Sequence, residues 1–153
     1  LSFDLFLQRF EAAASTETAA EAISAVLLEF GVTSPRGNGW FDLDTALGAC
    51  GELQFDGPAT GNGVLGCAFH LRGLSLRLLE LIWRVARAGD FVIVVPQEPG
   101  PQIILTGEHQ RAHLPADLEA GVAVARSPEH LGELISGGFD NWQAYRMQID
   151  PAS

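Results

Sequence analysis

The residues from Leu74 to Leu105 restrict the possible folds more than any other stretch of the chain. Leu74 to Ala88 carries Leu, Ile, Trp, Val and Ala around most of its circumference and confines Arg77, Glu80, Arg84 and Arg87 to one edge at helical spacing. That pattern predicts a helix lying deep against a sheet, with Ser75 at its start, Gly89 as its stop and Glu80 paired with Arg84. Phe91-Val92-Ile93-Val94-Val95 has no polar alternation, as a strand near the middle of a sheet and covered on both faces requires. The Pro-rich run Pro96–Pro101 makes a rigid turn, and Ile103–Leu105 returns as a partner strand. This stretch is a core, and it leaves little room for a site.

The flanking segments supply the rest of the layers. Phe3 to Phe10 alternates as a strand, with Phe3, Leu5 and Leu7 on one face. A helix follows, its start marked by Thr16 or Thr18, the latter with Glu21 as a capping box. Its core stripe is Ile23, Val26, Leu27 and Phe30, and Gly31 ends it. Residues 33–39 read as a loop, and three short strands at about 40–45, 50–56 and 64–71 follow as a meander. After Leu105 come a polar segment, Gly107–His113, a helical turn beyond Pro115, a strand near Val122–Ala125, and a helix opened by Ser127 and Pro128 and closed by Gly137-Gly138. The expected fold is α+β: one domain over residues 1–153, with a single mixed, mainly antiparallel sheet and helices packed on it.

Charge narrows the range of partners. Nine basic residues, all Arg, stand against nineteen acidic ones for a net charge of −10, so phosphate backbones and anionic lipid surfaces are disfavoured. A basic protein would be steered toward such a chain, although acidity also serves solubility alone. No basic leader precedes the first apolar segment and no run reaches the ~20 apolar residues of a membrane span, so the expected location is cytoplasmic.

Each catalytic template fails on a particular residue. Gly61-Asn62-Gly63-Val64-Leu65-Gly66 fits G-x-G-x-x-G, but strands are expected on both sides, which makes it a turn and not a helix-opening phosphate loop. His109 and His113 lack the glutamate of a zinc protease helix, with Gln110 in its place, and lack an evident third ligand beside His70 and His130. Gly73-Leu74-Ser75 lacks the second glycine of a nucleophile elbow. Cys50 and Cys67 are bracketed by small or apolar residues, so they read as buried thiols, though neighbouring strands leave a bridge conceivable. No catalytic residue, cofactor or metal ligand is assigned on these grounds.

The most unusual chemistry is acidic. Phe41 and Leu43 oppose Asp42 and Asp44, and Leu53 and Phe55 oppose Glu52, Gln54 and Asp56, so aligned strands would place four carboxylates on one exposed surface. The spacing suits neither a Ca²⁺ loop nor a sugar cleft, which leaves a solvated face or a surface for a basic protein. Phe139, Trp142 and Tyr145 near the end recur every three residues, as core packing or as interface anchors would.

The opening Ser2-Phe3-Asp4-Leu5-Phe6-Leu7-Gln8-Arg9-Phe10 resembles the first strand of a loosely defined group of small bacterial proteins. The Pro-rich turn, His113-Leu114-Pro115 and a closing helix extend the likeness. Some members of that group are similar to immunity proteins that neutralise polymorphic or secretion-system toxins. Together with the acidity, the acidic sheet face and the lack of a catalytic constellation, this resemblance leads to the expectation of a non-enzymatic immunity protein that occludes a cognate toxin domain, which the charge makes a basic one. Asp42, Asp44, Glu52, Asp56 and Glu98 are the expected partner-binding charges. The alternatives are a small enzyme using His70, His109 or His113, and an adaptor that binds through its aromatic tail.

Overall fold

The computed structural model describes residues 3–16, 18–33, 35–37, 39–48, 51–56, 63–97, 100–118 and 121–135. Strand β1 (Phe3–Glu11) lies inside the sheet, antiparallel to β8 (Gly66–Leu71) on one side and to β9 (Val92–Val95) on the other. Beyond β8 come β6 (Gly51–Asp56), β5 (Trp40–Asp42) and β4 (Pro35–Gly37); beyond β9 come β10 (Gln102–Leu105) and β11 (Val122–Val124). Only β10 and β11 run parallel among the described pairs. Strand β2 (Ala14–Thr16) folds back on β1, and β3 (Thr18–Ala19) with β7 (Gly63–Val64) forms a separate two-residue ladder. The architecture is therefore α+β with a mixed, mainly antiparallel sheet, as the alternation of apolar residues predicted.

One face of the sheet meets the helices. Phe3, Leu5, Leu7, Leu53, Phe69, Leu71, Ile93 and Val95 point to it from alternate positions along their strands, and all are buried. Against them pack Ile23, Val26 and Leu27 of α1 (Ala20–Glu29), Leu78, Leu81, Ile82 and Val85 of α3 (Leu76–Ala88), and Leu131 and Ile135 of the closing helix, residues 128–135. Each such side chain contributes about 1.5–3 kcal/mol by leaving water.

Helix ends follow their local chemistry. The Ser75 hydroxyl accepts from the Leu78 amide at 3.1 Å and starts α3; Ser127 does the same for the His130 amide at 3.0 Å. Gly31, at φ +77°, ends α1 as Val32 donates back to Leu27 and Gly31 to Leu28, a paired closure that needs a left-handed residue. Helix α3 stops at Gly89, but the left-handed residue is Asp90, at φ 54°, and a side chain at 89 would strike the Phe91 ring.

Four local expectations change. Helix α1 begins at Ala20 because Thr18 is buried in the ladder opposite Val64 and does not cap. The 33–39 loop contains strand β4, whose bulged pairing to β5 leaves no period of two to read. Arg84 pairs with Glu29 across the two helices, and Glu80 with Arg77, because α1 brings a carboxylate closer to the guanidinium than the same helix does. Strand β1 turns into β2 through Ala12 and Ala13, at φ 51° and 67°, a tight hairpin turn made without the Asn or Gly that normally announces it.

The opposite face of the sheet divides in two. Over β9, β10 and β11, Val92, Ile103 and Leu105 are buried beneath Leu114, with Phe10, Val94, Leu118, Val122 and Val124 around them. The cover is the crossover from β10 to its parallel partner, which runs through two 3-10 turns, Glu108–His113 and Ala116–Leu118. Gln110, buried within it, ties the pieces together. Its Oε1 accepts from the Thr106 and Gly107 amides at 2.8 and 3.2 Å, and its Nε2 donates to Asp90 Oδ1 and the Phe91 carbonyl, each at 3.1 Å. Over β1, β8, β6 and β5 no described helix or turn covers this face.

Candidate functional site: the uncovered half of the sheet

Strand alternation dictates what the uncovered half displays. With Leu5, Leu7, Leu53, Phe69 and Leu71 committed to the core, the intervening Asp4, Phe6, Glu52, Gln54, Ala68 and His70 must face the other way. Register then lines them up in rows. Asp42 is opposite Glu52, Glu52 opposite His70, and His70 opposite Asp4, which gives one row across four strands with three carboxylates and an imidazole. At ~4.8 Å between strands the row is about 14 Å long. The next row holds Trp40, Gln54, Ala68 and Phe6.

His70 is the centre of this surface. Its Nδ1 lies 2.9 Å from Asp4 Oδ1 and its Nε2 3.4 Å from Gln54 Oε1, with the Trp40 ring stacked on it at 5.3 Å between centroids. The Asp4–His70 contact joins β1 to β8 and the stack joins β5 to β8, so the row is held as a patch and not as separate side chains. Phe6 remains 38% exposed beside it, and Leu65, just before β8, 41% exposed.

Asp42 and Glu52 lie on this surface, half-buried, and Asp56 is exposed at the end of β6. Asp44 does not join them. The strand ends at Asp42, whose Oδ1 accepts the Asp44 amide at 2.8 Å and turns the chain into the short helix α2 (Asp44–Leu47). There Asp44 Oδ1 accepts the Gly51 amide at 2.9 Å and Oδ2 accepts from Arg72 Nη2 at 2.5 Å, so its carboxylate closes the β5–β6 connection. Glu98, Cys50 and the aromatic set Phe139, Trp142 and Tyr145 lie outside the described residues.

The other candidates resolve into structural roles. His109 Nε2 lies 2.7 Å from Asp90 Oδ1, His113 Nδ1 accepts the Ala12 amide at 3.3 Å, and His130 Nδ1 accepts the Arg126 amide at 3.1 Å. His109 and His113 lie in a 3-10 turn with three residues per revolution, so the two positions do not share a face. Among the described residues no group of three or more His, Cys, Asp or Glu converges as a metal ion requires. Cys67 is a buried thiol, pushed far above its ordinary range by loss of water and then by the nearby Asp56 charge. Gly63 and Val64 lie in β7 and Gly66 opens a strand, where a side chain would meet the Leu7 carbonyl at 2.5 Å. A strand, not a helix, follows the glycine-rich run.

Sequence reasoning found the carboxylates but missed Asp4, Trp40 and the role of His70. Nothing local announces them, since Asp4 and His70 are 66 positions apart and meet only through the β1–β8 register. No helix among the described residues is long and apolar enough to cross a membrane. In comparisons with known proteins, no family model, no curated relative and no solved structure matches the chain.

Proposed function

We propose that this chain is an immunity-type binding protein that occludes a basic toxin domain in the cytoplasm and does so with the uncovered half of its sheet. The observation that carries the reading is the row Asp42, Glu52, His70 and Asp4, flanked by Trp40 and Phe6, on the one sheet surface that no described element covers. Aromatic anchors within a charged field are what an interface for an oppositely charged protein is built from. The net charge of −10 supports the same class, as does the resemblance of the opening strand to a group of small bacterial proteins of which some are similar to immunity proteins.

The test pairs capture with mutation. Tagged protein should retain a basic toxin-like protein from its source cells, and Asp42→Asn with Glu52→Gln should slow association about three- to tenfold at low salt, the deficit closing as salt rises. Capture of no basic protein, or unchanged association by the double variant, sinks the reading. One observation favours a second reading, a small enzyme: Asp4 orients an imidazole stacked under Trp40, as a general base would be held. Under that reading His70→Asn abolishes turnover of a substrate while the urea-unfolding midpoint stays unchanged.

A further inference from the structure

The row beyond Phe6 contains a depression that the strand register explains. Asp56, Gly66 and Gln8 are opposite one another on β6, β8 and β1, and in the neighbouring row Ala68 separates Gln54 from Phe6. Strand β8 therefore presents no side chain and then a methyl group between strands that present long ones. The surface sinks there into a cavity of about 310 Å³, lined by Phe6, Gln8, Ser15, Asp56, Leu65 and Gly66 among others. Its walls come from three places: β1 with its hairpin partner β2, the end of β6, and Leu65, whose amide donates to the Asp56 carbonyl at 2.6 Å. Two of the four large apolar side chains exposed among the described residues, Phe6 and Leu65, line this one cavity.

We infer that this cavity receives an apolar side chain carried beside a cationic residue on the partner. The inference rests on the proposed reading of the sheet face as a surface for a basic protein. Two exposed side chains in an otherwise mixed lining fix the first half of that chemistry, because Phe6 and Leu65 lose water only if something apolar enters between them. Asp56 fixes the second half: its carboxylate stands at the wall, and the acidic row lies two steps along the same strands, ~14 Å away at 3.4 Å per residue. An extended segment of about four residues spans that distance, so one basic segment reaches both the cavity and the row. The volume is near the lower limit of small-ligand pockets and accommodates one side chain comfortably.

The full chain, labelled with nitrogen-15, is titrated with three capped tripeptide amides: arginyl-phenylalanyl-arginine, arginyl-alanyl-arginine and glutamyl-phenylalanyl-glutamate. The first should shift the amides of Phe6, Gln8, Leu65 and Gly66, the second should shift them far less, and the third should leave them in place. Leu65→Ser should weaken the first peptide about tenfold, and Asp56→Asn should weaken it about threefold and flatten its salt dependence. Leu65 is exposed, so its loss does not threaten folding, and Phe6→Ser gives an independent check on the opposite wall. If the alanine peptide shifts the amides of Glu52 and His70 while the phenylalanine peptide leaves the cavity unmoved, the pocket is overturned and the acidic surface stands. If the glutamyl peptide occupies the cavity equally well, the basic character of the occupant is overturned. If no peptide shifts either region, both the pocket and the reading beneath it fail.

Discussion

Over β9, β10 and β11 the second face of the sheet is sealed by Leu114, Leu118 and the Gln110 knot, whereas over β1, β8, β6 and β5 it displays Asp4, Trp40, Glu52 and His70. Both halves obey the same pleat. What separates them is the side-chain chemistry at alternate positions and the route of one connection. The parallel pairing of β10 with β11 forces the chain to cross over, and the crossover must bury something, so that half carries Val, Ile and Leu on both faces. The remaining strands are joined antiparallel, need no crossover on that side, and keep a polar face. Stability should therefore depend on the sealed half and binding on the displayed half.

Four substitutions test that division. Leu105→Ala, in the sealed half, should cost ~2–5 kcal/mol by opening a cavity in a packed interior, read from the midpoint of urea unfolding at constant slope. Gln110→Ala should cost about 1–3 kcal/mol, because the Thr106 and Gly107 amides and the Phe91 carbonyl lose a shared partner away from water. Ala13→Gly should raise stability by roughly 0.5–1 kcal/mol, since glycine accepts the left-handed turn that alanine holds under strain at φ 67°. Hydrogen exchange at the Ala13 amide, bonded to the His113 carbonyl at 3.0 Å, would show whether the turn and the crossover tighten together. Glu52→Gln, in the displayed half, should change stability by no more than about 0.5 kcal/mol. A loss near that of Gln110→Ala would break the comparison and make the acidic row part of the scaffold.

Much of the scaffold was legible in the chain because its signals are local. Ser75 and Ser127 cap where their spacing to the following apolar residues places them, Gly31 closes a helix with its left-handed φ, and Phe91–Val95 is covered on both faces as its lack of alternation demands. The displayed surface was legible only in part. Alternation put Asp42, Glu52 and Asp56 on one side, but extended the same logic to Asp44, whose own amide donates to the Asp42 carboxylate as the backbone turns out of the strand. Asp4, Trp40 and His70 became neighbours through registers between strands far apart in sequence, which no local periodicity encodes. The Ala12–Ala13 turn was hidden for the opposite reason: the tertiary hydrogen bonds that the Ala12 and Ala13 amides donate to His113 hold a conformation that alanine does not favour.

The interior position of β1 also sets a timetable for synthesis. Phe6 pairs with Ala68 on one side and Val94 on the other, and Val94 is 88 positions later in the chain. At ribosomal speeds of ~5–20 residues per second, a strand bearing Phe3, Leu5, Phe6, Leu7 and Phe10 waits about 4–18 s for its second neighbour to be made. During that interval its edges resemble those of an aggregation-prone peptide, and Asp4, Gln8 and Arg9 are the residues that interrupt the apolar run. The carboxylate that later holds His70 thus has an earlier task as a gatekeeper on the nascent chain.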